Sequence, residues 1–318
     1  MSKLNVCFVG IGSIAKRHIR NLHQICAESG IELQTDAFRR KKIISDGIDN
    51  IYTEPSEVPN DYDVIFITNP TELHLDTLTR FHDKGKHFFI EKPVVSIKQL
   101  EEAKKVKLKD NTFYYVACPL RYNAVIQWIK NNIDPDSVLS VRSISSSYLP
   151  DWRPGQDYRK TYSAHKEMGG GVSIDLIHEW DYLTYLFGWP KRVYSLIGKI
   201  SELEINSDDY AIYIAKFENK TAELHLDYFG RKAIREIQLI TKEETIVGDL
   251  IHNKIVFLNQ DRTIDFHEER DDFQKRELGY FLDTIMNNTV YEDCFSNGIR
   301  VLELTQGGCC SENFSRQY

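Results

Sequence analysis

The chain is 318 residues long, 42% hydrophobic and 27% charged, with a formal net charge of −7 and a pI near 5.8. That length accommodates two domains with substantial cores, and the acidic balance argues against nucleic acid as a principal partner. No apolar run approaches the ~20 residues of a membrane span, and Met1-Ser2-Lys3 leads into a strand rather than a signal peptide, so a cytoplasmic protein without a membrane partner is expected.

Leu4 to Val9 is a short apolar run, as for the buried first strand of a parallel sheet, and Gly10-Ile11-Gly12-Ser13-Ile14-Ala15 follows at once. In the helix after it, Ala15, Ile19, Leu22 and Cys26 share one face. Gly10 suits a tight turn, Gly12 lets a pyrophosphate approach the backbone, and Ala15 replaces a third glycine where helix and strand lie close. The N–H groups of Ser13, Ile14 and Ala15 then face the phosphates at a partly positive helix end. This strand, turn and helix predict a dinucleotide site.

Ile31 to Phe38 reads as the second strand. Asp36 stands 24 residues beyond Gly12, close to the spacing at which an acidic residue binds the adenine ribose of NAD. If the strand runs through Phe38, however, Asp36 lies inside it and Arg39 takes the tip. Arg39 and Arg40 would then suit the 2′-phosphate of NADP. NAD and NADP both stay open, with the balance slightly toward NADP. Asp63 to Thr68 reads as a central strand, Leu73 to His82 as a helix and His87 to Ile90 as a strand. Ile97 to Val106 reads as a helix, with the lysines from Lys104 to Lys109 on a solvated face, and Phe113 to Ala117 as the next strand. The alternation predicts an α/β domain over residues 1–120, a Rossmann-type, doubly wound parallel sheet.

Beyond Arg121 the texture changes. Ser140 to Tyr148, Arg192 to Lys199, Tyr210 to Phe217, Thr221 to Tyr228 and Glu236 to Ile240 are strand-like runs with few helices between them. They predict an α+β domain over residues 121–318 with a large, mostly antiparallel open sheet. A last helical stretch, Asn297 to Asn313, could return to the domain junction. Cys7, Cys26, Cys118, Cys294, Cys309 and Cys310 form neither a C-x-x-C pair nor a zinc-ligand spacing, and are expected to be reduced structural thiols.

Two groups carry candidate chemistry. Lys92, in Glu91-Lys92-Pro93, sits just past the carboxyl end of a predicted parallel strand, where ligands bind in open α/β sheets. Pro93 restricts the lysine to extended conformations and is compatible with a cis bond. An ammonium in a dry cleft can stabilise the alkoxide that develops as hydride leaves, and burial would lower its pKa enough for proton transfer. The plainer alternative is a surface lysine paired with Glu91. The second group opens with Gly169-Gly170-Gly171. On one continuous helix Leu176, Trp180, Leu183 and Phe187 share an apolar face, while Asp175, His178 and Tyr182 lie together elsewhere, the first two ~60° apart. His178 can take a hydroxyl proton, and Asp175 can orient it or bind a substrate hydroxyl. Metal binding by Asp175, His178 and Glu179 lacks a supporting remote ligand, and no metal is expected.

Between them, Tyr148 to Tyr162 combines aromatics and arginines in a long loop. Trp152, Tyr158 and Tyr162 can cover a sugar ring and Arg153 can hold a carboxylate or phosphate, although such a loop can also pack on its own domain.

Taken in order, several motifs make the chain resemble the Gfo/Idh/MocA oxidoreductase family. They are the glycine turn, Thr68-Asn69-Pro70-Thr71-Glu72-Leu73-His74, Gly85-Lys86-His87-Phe88-Phe89-Ile90-Glu91-Lys92-Pro93, Leu120-Arg121-Tyr122-Asn123 and the glycine run through His178. The resemblance covers nearly the whole length. It implies hydride transfer between nicotinamide and a sugar or polyol, with the nicotinamide between the first domain and the open face of the second domain's sheet. It also implies that Thr68, Asn69, Pro70, His74, Glu91, Lys92 and Arg121 border the dinucleotide, that Tyr122 borders the substrate, and that copies associate as dimers or tetramers through the outer sheet face. The loop from Tyr148 resembles that of members encoded beside bacterial surface-sugar biosynthesis, which implies an amino-sugar or activated-sugar substrate. One departure concerns spacing: members commonly place the aspartate and histidine four residues apart, and here they are three apart. A one-residue slip turns the pair ~100° against its scaffold, so His178 is the firmer candidate, with Glu179 and Asp181 as alternative carboxylates. Two further readings stay open, a dinucleotide- and sugar-binding regulator without chemistry, and a non-redox enzyme that oxidises its substrate only transiently.

Overall fold

The computed structural model describes residues 3–43, 45–287 and 290–307. Its contacts divide the chain into two compact units: the first holds residues up to Pro119 together with Glu269–Ile299, and the second holds Leu120–Glu268 and the segment from Arg300.

In the first unit, β1 (Lys3–Val9), β2 (Glu32–Phe38), β3 (Asn50–Tyr52), β4 (Tyr62–Ile67), β5 (Gly85–Ile90) and β6 (Tyr114–Val116) form one sheet. The strand order is 3-2-1-4-5-6, and every pairing is parallel. Helix α1 (Ser13–Glu28) buries Ala15, Ile19, Leu22 and Cys26 as the periodicity predicts, and with them His18. The predicted helix from Leu73 is a 3-10 turn, Thr71–Leu73, that continues as α2 (His74–Arg80). The helix predicted over Ile97 to Val106 is cut to a 3-10 turn, Ile97–Gln99, and α3 (Leu100–Ala103); the lysines after Ala103 offer no apolar face to extend it. Strand β3 was not anticipated: three residues are too few to show a period.

The second unit contains α4 (Ala124–Asn132), β7 (Val138–Tyr148), α5 (Val172–Asp175) and α6 (His178–Phe187), then β8 (Arg192–Gly198), β9 (Tyr210–Lys216), β10 (Thr221–Asp227) and β11 (Phe229–Thr241). It ends with β12 (Thr245–Asp249), β13 (Lys254–Phe257) and β14 (Arg262–Asp265). These eight strands form a sheet of order 14-13-12-11-7-10-9-8, antiparallel throughout except for β7 beside β10. One face packs on helices, with Tyr182 of α6 hydrogen-bonded to Ser143 of β7 at 2.5 Å. The other leaves Ile144, Tyr194, Leu196 and Ile214 exposed.

Helix α7 (Asp272–Met286) falls in the first unit, whereas sequence alone assigns everything after residue 121 to the second domain. The reason is visible in the core: Phe281 packs on Phe89 and Phe113, and the fully buried Glu277 accepts hydrogen bonds from Cys118 N at 2.6 Å and Tyr115 OH at 3.1 Å. The last helix, α8, covers Cys294–Leu304; the remainder of the stretch predicted to Asn313, with Cys309 and Cys310, lies outside the described residues. Cys7, Cys26, Cys118 and Cys294 are buried. Burial pushes the Cys26 thiol up to about 11.

Candidate functional site

In the first unit the predicted dinucleotide residues gather at the carboxyl ends of β1, β4 and β5. Gly10 has φ +91°, and a Cβ on it would fall 2.7 Å from Asn69 Cα, so both its conformation and its neighbour demand glycine. Thr68 Oγ1 donates to the Gly10 carbonyl at 2.7 Å and locks the two turns together. Gly12 differs. A Cβ there would meet nothing within 4 Å among the described residues, so no contact with them requires glycine. Gly12 caps α1 without a side-chain hydrogen bond, and the first turn carries no acidic residue. The open cradle and the unshielded N–H groups of Ser13, Ile14 and Ala15 fit a pyrophosphate. Ala15 is fully buried, as its place in the motif predicts.

The strand-tip alternative is resolved in favour of Arg39. Strand β2 ends at Phe38, so Asp36 lies within it, 1% exposed. Its carboxylate accepts hydrogen bonds from Tyr62 OH at 2.6 Å and Asn50 Nδ2 at 2.9 Å, and burial pushes the Tyr62 phenol upward. Asp36 is therefore engaged within the sheet by Tyr62 and Asn50. Arg39 follows the tip, its Nη1 donating to the Ile43 carbonyl at 3.3 Å, and Arg40 is exposed.

Lys92 stands just beyond β5, half-buried, and its bond to Pro93 is cis. Two buried histidines hold the segment. His18 Nε2 donates to Glu91 Oε1 at 2.5 Å, while Glu91 Oε2 accepts Lys92 N at 3.3 Å. His74, 1% exposed, has Nε2 3.0 Å from the Asn69 carbonyl and Nδ1 3.0 Å from the Pro93 carbonyl. His74 thus ties two loops together from inside rather than bordering a ligand. Burial holds its pKa below the usual value. For Glu91 burial alone would raise the carboxyl, but the His18 hydrogen bond and the charges of His18, Lys92 and His74 together bring it below its ordinary value. Pro70 leads into the 3-10 turn before α2.

The second unit gathers a different set. Its glycine run is pinned by close approach: a Cβ on Gly170 would lie 2.0 Å from the Tyr162 carbonyl oxygen. Beyond it the single predicted helix is broken. Helix α5 ends at Asp175, Leu176 and Ile177 form a turn, and α6 starts at His178. The break places Ile174 and Leu183, which would stand ~180° apart on one straight helix, on two separate helices, and both are buried. Tyr182 consequently turns to Ser143 and does not share a face with Asp175. Asp175 is 5% exposed and its Oδ2 accepts from Tyr228 OH at 2.5 Å. Tyr162 also hydrogen-bonds it, and the Asp175 charge, followed by burial, pushes the Tyr162 phenol up. Burial, then Asp175, does the same for Tyr228. Sequence reasoning missed Tyr228, the residue after β10, and His18, which sits on a helix face that reads simply as apolar.

The alternative carboxylates are already engaged. Glu179 is fully buried and accepts from Arg235 Nε at 2.6 Å. Asp181 takes Arg121 in a bidentate pair at 2.9 and 2.7 Å, so this guanidinium braces α6. Tyr122 closes a 3-10 turn before α4.

The long loop packs on its own unit and still presents an open cation. Trp152 Nε1 donates to Ser147 Oγ at 2.8 Å, and its ring meets Tyr228 edge-on at 5.2 Å. Tyr158 accepts from Glu204 N at the loop's far side, where Arg159 is paired with Asp157 and Glu204. Arg153 lies over the Tyr162 ring at 5.5 Å, and no carboxylate pairs with it among the described residues. Nor do those residues contain a cluster able to hold a metal ion.

The glycine turn, the open helix end and the 3-2-1-4-5-6 sheet define a dinucleotide-binding α/β protein. Residues 4–113 match the model described as "Oxidoreductase family, NAD-binding Rossmann fold", and residues 127–247 match the GFO/IDH/MocA C-terminal domain; the chain belongs to the GFO/IDH/MocA family. It is 25% identical over 208 residues to levoglucosan dehydrogenase of Pseudarthrobacter phenanthrenivorans, covering 59% of this chain and 52% of that protein. It is 22% identical over 303 residues to scyllo-inositol 2-dehydrogenase (NAD(+)) of Bacillus subtilis, covering 88% and 85%. The chain spans only 63% and 52% of the length of two of the curated relatives it matches. Among solved structures, levoglucosan dehydrogenase in complex with NADH superposes with a TM-score of 0.82 over 96% of both chains at 17% identity, a likeness of fold.

Proposed function

We propose that the protein is a nicotinamide-dependent oxidoreductase that moves hydride between its cofactor and a sugar-like alcohol or ketone. One observation carries this reading: Lys92 is fixed just past the end of β5, in the same sheet whose glycine turn leaves room for a pyrophosphate. The nicotinamide, when bound, supplies or accepts the hydride. Lys92 hydrogen-bonds the substrate oxygen and stabilises its alkoxide character, and His178 takes or returns the hydroxyl proton. Asp175 holds Tyr162 and Tyr228 as neutral donors beside the Trp152 ring, a surface suited to a sugar. Arg153 adds a cation for a carboxylate or phosphate, which favours an activated or acidic sugar, an amino sugar included.

Arg39 at the β2 tip, with Asp36 engaged internally, favours NADP over NAD. A second copy covers the apolar outer face of the large sheet around Tyr194, Leu196 and Ile214, giving a homodimer or homotetramer. Among the described residues no helix is long and apolar enough to cross a membrane, and the cytoplasm is the proposed location. The test is turnover of NAD+ and NADP+ against levoglucosan, inositols and a nucleotide-linked amino sugar. Lys92→Met should lower turnover of the accepted substrate by roughly 10²-fold, the scale of losing one acid–base or charge-stabilising group, while dinucleotide affinity holds. Unchanged turnover would remove Lys92 from the mechanism.

A further inference from the structure

His18 is not required by the glycine motif, yet it occupies the core beneath it. It lies on the second turn of α1 and is 1% exposed. Its ring stands edge-on to Phe89, with centroids 5.1 Å apart, and tilted against Phe66 at 6.3 Å. Nδ1 is buried and has no hydrogen-bond partner among the described residues. A buried imidazole with one orphaned nitrogen is a costly way to fill space between phenylalanines, and a further aromatic hydrocarbon ring would fill it without that cost. What the imidazole adds is Nε2, 2.5 Å from Glu91 Oε1. The other Glu91 oxygen accepts Lys92 N at 3.3 Å, so the ring grips the residue before the lysine and the carboxylate grips the lysine's own backbone.

We propose that His18 is a positioning residue for Lys92, acting through the Glu91 carboxylate, which sets the lysine in register with the helix that faces the dinucleotide phosphates. The inference rests on the reading of Lys92 as the group that stabilises the substrate oxygen. Because α1 is rigid and its N-terminus is the phosphate-facing end, a link from its second turn fixes Lys92 relative to the bound cofactor without touching either substrate or cofactor. His74 secures the opposite side through the Pro93 carbonyl, leaving Glu91 as the point where α1 acts.

The test reads the lysine itself. The full chain and its His18→Phe, His18→Gln and Glu91→Gln variants are acetylated with limiting acetic anhydride over a range of pH, and labelling at each lysine is quantified by mass spectrometry. In His18→Phe the rate at Lys92, relative to Lys86 and Lys104, should change at least ~3-fold. Glu91→Gln should move it in the same direction, and His18→Gln, which keeps an N–H near Nε2, should return it toward the original value. An unchanged Lys92 rate in both His18→Phe and Glu91→Gln would overturn the proposal. So would His18→Gln behaving like His18→Phe, the result for a residue that only fills space. If His18→Phe does not fold, Glu91→Gln and His18→Gln still decide. Failure of the Lys92 reading is separate: Lys92→Met would then keep full turnover while labelling at Lys92 still depended on His18.

Discussion

The two segments that bear the candidate acid–base groups are fixed by different chemistry. Glu91-Lys92-Pro93 is gripped by buried imidazoles, His18 and His74. Asp175 is gripped by phenols, Tyr228 and Tyr162, with His178 following at a helix break. The difference matters because burial holds the His74 imidazole below its ordinary value, whereas both phenols are pushed above their usual range. The lysine segment should therefore answer to pH, and the aspartate segment should answer to the loss of one hydroxyl.

Replacing the group itself gives the largest expected effect. His178→Asn should lower turnover by ~10² or more with the fold intact, the usual range for an acid–base residue; thermal melts beside steady-state rates would check both halves, and full activity would return the role to another group. Next comes Tyr228→Phe, which strips a donor from a buried carboxylate and should cost about 1–3 kcal/mol of stability, measured by urea unfolding. No measurable loss of stability would show that the hydroxyl does not hold the carboxylate.

Gly12→Ala should act on binding alone. Among the described residues nothing lies within 4 Å of the added Cβ, so stability should move by no more than ~0.5 kcal/mol. Dinucleotide affinity should fall by roughly tenfold, about 1.4 kcal/mol, because the methyl occupies space meant for the pyrophosphate. Equal affinity would place the phosphates elsewhere.

The smallest effect is the most diagnostic of the lysine segment. His74 is held below its ordinary 6.5 by burial, so as pH falls through 6.5 the unfolded chain takes the proton first and stability drops. Glu91, held below its ordinary 4.5, adds a further loss as pH falls through that value. His74→Gln should flatten the first part of this decline and Glu91→Gln the second, read from unfolding free energies at successive pH values. Unaltered slopes would show that these groups do not titrate differently on folding.

The parallel sheet was legible in the sequence because its strands are unbroken apolar runs and Gly10, Gly12 and Ala15 follow the first at a fixed interval. The second sheet's existence was legible too, from closely spaced strand-like runs. What escaped was long-range. Nothing local shows that Phe281 and Glu277 belong with the first sheet, or that Asp36 meets Tyr62 and Asn50. The Asp175–His178 geometry escaped for another reason: helical periodicity assumes one straight helix, and here α5 ends at Asp175 and α6 begins at His178. His18 was hidden by its own burial, since a polar residue in an apolar stripe reveals its partner only when the fold is known.

The central claim is a working nicotinamide site, and the most direct measurement is titration of the purified protein with NADH and, separately, NADPH, read as energy transfer from its four tryptophans. Saturable binding of both, with NADPH the tighter because of Arg39, is the predicted result. Absence of binding by either, once copurified cofactor has been ruled out, would contradict the oxidoreductase reading.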